Sequence, residues 1–189
     1  EIVIDRLKNI ILKCNCKNII DVGCGDGEYL LKICEENKKY YGIDISTEML
    51  EAAVLNCKGH NNIWFEQSGI GPQNFCNYDM AFIVAVLAHV SDETMKVLLQ
   101  NIYDKMCVGG KICICEQTAP YEIAGKCWKR RTYEKYKAAL EEQGFKCKRG
   151  DTFRIDFALH RKLFEHHIAK NSIIRRAEQN VIKMYCIYF

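Results

Sequence analysis

Three glycines at alternate positions constrain this chain more than any other feature. Gly23, Gly25 and Gly27 lie within residues 19–31, Ile-Ile-Asp-Val-Gly-Cys-Gly-Asp-Gly-Glu-Tyr-Leu-Leu. A short apolar run with one acid precedes them, and an apolar periodicity begins at Tyr29, so the segment predicts a strand, a tight turn and a helix. Lacking a Cβ, the glycines accept strained dihedrals and let a ligand lie against bare backbone. The helix after them is expected to aim its unpaired N–H groups and the positive end of its dipole at the same spot.

Glycine spacing narrows the choice of ligand. A dinucleotide fold wants Gly-x-Gly-x-x-Gly, with the third glycine letting helix and strand pack closely. Position 28 is Glu here, which gives Gly-x-Gly-x-Gly preceded by the acid Asp21. Asp44 closes a second strand candidate, Tyr40-Tyr41-Gly42-Ile43-Asp44, seventeen residues beyond Gly27. A carboxylate at such a tip can accept hydrogen bonds from both hydroxyls of a ribose.

In these residues the chain resembles the class I S-adenosylmethionine-dependent methyltransferases, whose first motif reads acid-x-Gly-x-Gly-x-Gly and whose second strand ends in an acid. Tyr78-Asp79-Met80-Ala81-Phe82 is similar to the family's fourth strand, Leu87-Ala88-His89-Val90 to its Leu-His-His-Val stretch, and Gly109-Gly110-Lys111 to the entry of its fifth strand. The resemblance runs from about residue 17 to about 148. It implies an α/β, doubly wound, Rossmann-like methyltransferase fold with a seven-stranded, mostly parallel sheet whose last strand is antiparallel. One domain is expected over 1–189, with a cofactor-binding part at about 1–117 and an acceptor-covering and C-terminal part at about 118–189. At 189 residues the chain is long enough to bury a core without staples.

The resemblance also implies site residues. Asp21, Gly23, Cys24 and Gly25 would cradle the methionine part of S-adenosylmethionine, Asp21 near its amino group. Asp44 would hold the ribose, Ile45 and Met49 would pack about the adenine, and Val84 and Ala85 would touch the cofactor past the fourth strand. Many members carry an acid after the third strand to receive the adenine amino group, whereas this chain has Gln67-Ser68-Gly69-Ile70. A side-chain oxygen of Gln67 or Ser68, or the backbone of Gly69 and Ile70, is left for that task. His89 is the candidate base, since an imidazole titrates near neutral pH; a structural histidine at a helix start is the other reading. Glu116, Tyr121, Arg130, Arg131 and Tyr133 lie in or beside the segment expected over the acceptor; Tyr121, Arg130, Arg131 and Tyr133 are the acceptor-side candidates, the arginines suited to a carboxylate or phosphate or else to plain surface solvation.

Periodicity and punctuation set the expected elements: helices at 2–12, 28–36, 48–57, 92–106, 132–143 and 160–170, and strands at 63–65, 78–85, 111–116, 145–157 and 181–189. Buried stripes are expected at Leu30, Leu31 and Cys34, at Met49, Leu50, Ala53 and Val54, and at Met95, Leu98, Leu99, Ile102 and Met106. Ser46 or Thr47, and Ser91, are placed to cap helices, and Gly144 to end one. Residues 117–131 have no clean period and are expected to wander over the active site.

Charge is unevenly divided. Residues 1–119 carry 11 basic and 16 acidic groups, residues 120–189 carry 16 and 8, and the sum is the net +3. A basic second part can attract an anionic acceptor, though a solvated face is commoner. Twelve cysteines without Cys-x-x-Cys spacing read as reduced, packed thiols, and no metal site is expected. Cys113 and Cys115 would share one face of a strand. No run of eighteen apolar residues exists, and the opening Glu1-Ile2-Val3-Ile4-Asp5 lacks the form of a signal peptide. A cytoplasmic location is the expectation; the chain does not begin with Met, so a processed or trimmed product is expected.

The functional expectation is methyl transfer from S-adenosylmethionine to an oxygen or nitrogen of a small or medium-sized acceptor, an anionic one included. A tRNA or protein acceptor stays open, nucleic acid being less favoured. A cofactor-binding subunit without transfer activity is the runner-up, and a nicotinamide dehydrogenase is third because of Glu28.

Overall fold

The computed structural model describes residues 2–146, 149–154 and 183–188. Helix α1 (Ile2–Cys14) leads into β1 (Asn18–Val22), α2 (Glu28–Ile33), β2 (Lys39–Asp44), α3 (Thr47–Asn56) and β3 (Ile63–Gln67). Then come β4 (Tyr78–Val84), a 3₁₀ turn (Leu87–His89), α4 (Asp92–Lys105) and β5 (Met106–Thr118). A small hairpin of β6 (Ile123–Ala124) and β7 (Lys129–Arg130), α5 (Tyr133–Glu142), β8 (Arg149–Arg154) and β9 (Lys183–Tyr188) complete the described elements.

Five strands pair in parallel in the order β3-β2-β1-β4-β5. The chain winds outward from β1 through β2 to β3, then crosses back to β4 and on to β5. The order therefore reverses between β1 and β4, and the crevice at their carboxyl ends is where a ligand fits an open α/β sheet. On the far side β9 runs antiparallel to β5, and β8 antiparallel to β9.

Strand alternation builds two cores, one on each face of the sheet. Ile19, Met80, Phe82, Cys113 and Cys115 face α1 and α2, meeting Leu7, Ile11, Leu30 and Ile33. Ile20, Val22, Ala81, Ile83, Ile112 and Ile114 face α4 and α5, meeting Met95, Leu98, Leu99, Ile102 and Leu140. Cys113 and Cys115 thus share a face as their spacing predicts. Ser46, Ser91 and Thr132 cap α3, α4 and α5 by accepting from Met49, Thr94 and Lys135 N–H groups, and Gly144 leaves α5 at φ +99°.

Several expectations are corrected. Helix α2 is only a turn and a half, and its inward residues are Leu30 and Ile33; Leu31 is exposed. Helix α3 buries Ala53, while Met49 and Val54 face outward. The chain is extended from Met106, so Gly109 (φ +79°) lies inside an irregular edge of β5 rather than in a turn before it. Residues 117–131 continue β5 and then form a hairpin, because Gly125 N–H donates to the Trp128 carbonyl at 2.8 Å and closes it. The expected strand 145–157 is seen as β8 and the closing strand as β9; the expected helix 160–170 lies outside the described residues. Among the described residues no helix is long and apolar enough to cross a membrane, and no cluster of metal-binding side chains occurs.

Candidate functional site

The turn after β1 takes left-handed dihedrals at all three glycines, φ +79°, +53° and +78°. Glycine is required twice over at Gly23, because a Cβ there would run into the Val86 side chain. The N–H groups of Gly23 and Cys24 donate to the Ile43 carbonyl at 2.7 and 2.9 Å, and Gly25 N–H to Asp44 Oδ2 at 2.9 Å. These donors fix the turn to the tip of β2, so what the turn offers a ligand is close approach.

Cys24 turns its side chain away from the crevice. Its side chain is buried against the sheet, where a Cβ on Gly42 would come within 2.8 Å of the sulfur. Burial pushes the thiol pKa up, with Asp21 and Asp44 adding to the effect. It packs; only its backbone borders the crevice.

Asp21 is 1% exposed and its Oδ2 has no partner. Burial, with the nearby Asp44 charge, raises its pKa well above the usual carboxylate range. A buried carboxyl oxygen without a donor costs about 1–3 kcal/mol, and a ligand ammonium group would satisfy it. Asp44 accepts one N–H on each oxygen, from Gly25 and from Ser46 (3.0 Å). Each oxygen keeps a second lone pair for a hydroxyl.

Beside Asp44 three apolar side chains stand in the open: Ile45 at 74%, Met49 at 41% and Ile70 at 48% exposure. Met49 reaches toward Gly25, and Ile45 lies against Gly69. Such a group at the ends of β2 and β3 suits a flat ring. The Ser68 hydroxyl donates to the Gly71 carbonyl and accepts from Ile70 N–H at 3.4 Å, which leaves one lone pair. The Gln67 side-chain NH2 donates to the Ile45 carbonyl and Thr47 Oγ1, bonds that leave the acceptor role of its oxygen untouched. The acid of this region is Glu66, buried and accepting from the N–H groups of Gln73 and Asn74, which shapes the loop. Gly69 and Ile70 remain at the rim.

The second turn of the crevice comes after β4. Ala85 adopts φ +56°, which costs a residue with a Cβ roughly 1–2 kcal/mol. Ala85 N–H donates to the Cys115 carbonyl at 3.0 Å. Glu116 Oε1 accepts from Val86 N–H at 2.7 Å and Leu87 N–H at 2.6 Å. Burial lifts Glu116 to about 7 against the pull of these N–H groups and of Arg131. His89, exposed at the end of the 3₁₀ turn, lies 3.2 Å through Nδ1 from the Cys127 carbonyl. A carbonyl only accepts, so Nδ1 carries the proton and the lone pair of the neutral ring sits on Nε2.

The hairpin sorts the acceptor-side candidates. Tyr121 is 69% exposed, and the Arg130 guanidinium lies 5.1 Å from the Trp128 ring centre in a cation–π contact. Tyr133 is partly buried against the second core. Arg131 is overturned as an anion-gripping residue, since it is 0% exposed with its guanidinium committed. Nε pairs with Asp92 Oδ1 at 2.7 Å, and Nη1 and Nη2 donate to the Leu87 and Val90 carbonyls. Burial opposes the charge of Asp92, but hydrogen bonds from Arg131, Lys129 and Lys135 hold its carboxyl well below the usual range. The group formed by buried Glu116 and Arg131 with partly exposed Asp92 is the part of the site that motif spacing does not announce; an acid ending an apolar strand at Glu116 is its one sequence signal.

Comparison with known proteins agrees with this geometry. Residues 19–110 match the family model described as "Methyltransferase domain". The chain is 30% identical over 105 residues to demethylmenaquinone methyltransferase of Tropheryma whipplei, covering 55% of this chain and 43% of that protein. It is 27% identical over 114 residues to carboxy-S-adenosyl-L-methionine synthase of Helicobacter pylori, covering 58% and 48%. The match thus spans less than half the length of these curated relatives. Among solved structures, an S-adenosylmethionine-dependent methyltransferase from Clostridium acetobutylicum superimposes with TM-score 0.70 at 11% identity, over 98% of this chain and 89% of that one.

Proposed function

We propose that the class I, Rossmann-like methyltransferase domain carried by this chain binds S-adenosylmethionine and transfers its methyl group to an oxygen or nitrogen of a small or medium-sized, anionic acceptor. The observation that carries the reading is Asp21, a buried carboxyl group whose Oδ2 lacks a partner, at the switch point of the sheet, below three left-handed glycines. An α-ammonium group answers it. Asp44 holds the ribose through its remaining lone pairs, and Ile45, Met49 and Ile70 cover the adenine from the positions where they now stand exposed. NAD has no ammonium group for Asp21.

When bound, the cofactor supplies a methyl carbon activated by the adjacent positive sulfur. The chain's own work is alignment and exclusion of water. Ala85 and Val86 wall the crevice opposite Gly23. His89 receives the acceptor's proton on Nε2, since Nδ1 is held by Cys127. Arg130, on the hairpin joined to His89, and Tyr121, just before it, meet the acceptor, and the basic second part of the sequence favours an anion. Residues up to about 117 form the cofactor half of one domain; the hairpin and the chain beyond it form the acceptor half. Strands β8 and β9 are read as the sixth and the antiparallel seventh of the family sheet.

The test is calorimetric titration with S-adenosylhomocysteine and with NAD. Micromolar binding of the former alone is expected, and Asp44→Ala should weaken it by about 1.5–3 kcal/mol, the scale of hydrogen bonds to a charged group. Binding of NAD alone would overturn the reading.

A further inference from the structure

Two buried charged side chains, Glu116 and Arg131, are not needed by the cofactor reading and yet both direct hydrogen bonds to one short stretch of backbone, residues 85–90. Glu116 takes the N–H groups at its start, Val86 and Leu87, with one oxygen. Arg131 takes the carbonyls further on, Leu87 and Val90, with its two terminal nitrogens. Both side chains are fully enclosed, at 1% and 0% exposure. Their partners are also non-local: Glu116 lies near the end of β5 and Arg131 just after β7, some thirty and forty residues beyond the turn.

This arrangement is a poor one for stability alone. Glu116 leaves Oε2 buried without a partner, and apolar residues of similar size are often as good as or better than buried charges. The turn itself stores strain at Ala85, a position that a glycine would relieve. What the arrangement secures is placement. Val86 is held against Gly23, and the same stretch carries His89, which meets the Cys127 carbonyl.

We propose that Glu116 and Arg131 are positioning residues, a carboxyl group and a guanidinium that grip the N–H and carbonyl ends of the turn after β4 and so fix the wall between cofactor and acceptor. The consequence for binding rests on the reading that this turn borders the cofactor. The grip itself does not.

The experiment compares the full chain with Glu116→Ala, Glu116→Gln and Arg131→Lys by hydrogen–deuterium exchange and by S-adenosylhomocysteine titration, well below the melting temperature. Glu116→Ala should speed exchange of the 85–90 amides about tenfold or more, leave α1 unchanged and weaken binding about tenfold. Glu116→Gln keeps a carbonyl oxygen for the two N–H groups and should bring both readouts back to within about threefold of the parent. Arg131→Lys, whose single ammonium lacks the planar fork, should speed exchange at the same residues, and it carries the test with Glu116→Gln if the alanine variant does not fold. Parent-like exchange at 85–90 in Glu116→Ala or Arg131→Lys, or failure of Gln to restore it, overturns the proposal. If the parent binds no S-adenosylhomocysteine, the functional reading fails, while the exchange data still decide the grip.

Discussion

The turns after β1 and after β4 face each other across the crevice and are built on opposite principles. The first reaches its left-handed backbone through three glycines, and its donors are tied to the adjacent strand tip at Ile43 and Asp44. The second reaches a left-handed backbone at Ala85 with a Cβ in place, and is held by groups from distant elements. One turn is permitted by its own residues; the other is enforced by its surroundings. A turn that is permitted locally can be read from spacing, whereas an enforced one is visible only when the enforcing groups are in place.

The largest test of this contrast is Arg131→Met, which leaves Asp92 without its buried partner and two carbonyls without donors. Loss of about 4 kcal/mol is expected in urea unfolding, the scale for breaking a buried charged contact. A loss below about 1 kcal/mol would show that the second turn holds itself.

Next is the pH dependence of Glu116. Its folded value is raised from 4.5 to about 7 by burial, so the folded state prefers the protonated form. Stability from this group is complete below pH 4.5 and is lost as pH rises toward 7. At about 1.4 kcal/mol per unit the loss is on the order of 3 kcal/mol. Glu116→Gln should therefore gain on the parent across that interval, and parallel stability curves from pH 4 to 8 would break the assignment.

Gly23→Ala should cost roughly 2 kcal/mol, from a left-handed Cβ forced into Val86, and should also reduce affinity for S-adenosylhomocysteine in calorimetric titration. The smallest effect sharpens the contrast most. Ala85→Gly should stabilise by up to about 1 kcal/mol in the same unfolding assay by relieving strain, despite the added freedom of the unfolded chain. A destabilised glycine variant would mean that Ala85 is not under strain.

Much of the first turn was legible. The three glycines, Asp21 and Asp44 occupy adjoining strand tips because local spacing sets each strand–turn–helix unit, and the apolar runs of β1 and β4 predict strands buried on both faces. The caps at Ser46 and Ser91 and the stop at Gly144 were legible for the same reason, each being decided within four residues. Less was legible where exposure depends on what another segment covers. Met49 and Val54 lie on the outer side of α3 although their spacing suggests a buried stripe.

What the sequence by itself determined is the parallel five-stranded frame and the place of the glycine turn at its switch point, since periodicity and backbone freedom act over a few residues. Only the tertiary structure decided the fate of Arg131, adjacent in sequence to Arg130 and of the same type. Arg130 stands over Trp128 on the hairpin, while Arg131 is buried between Asp92 and the carbonyls of Leu87 and Val90. An arginine's role is set by which acceptors reach its fork, and here these arrive from residues some forty positions earlier in the chain.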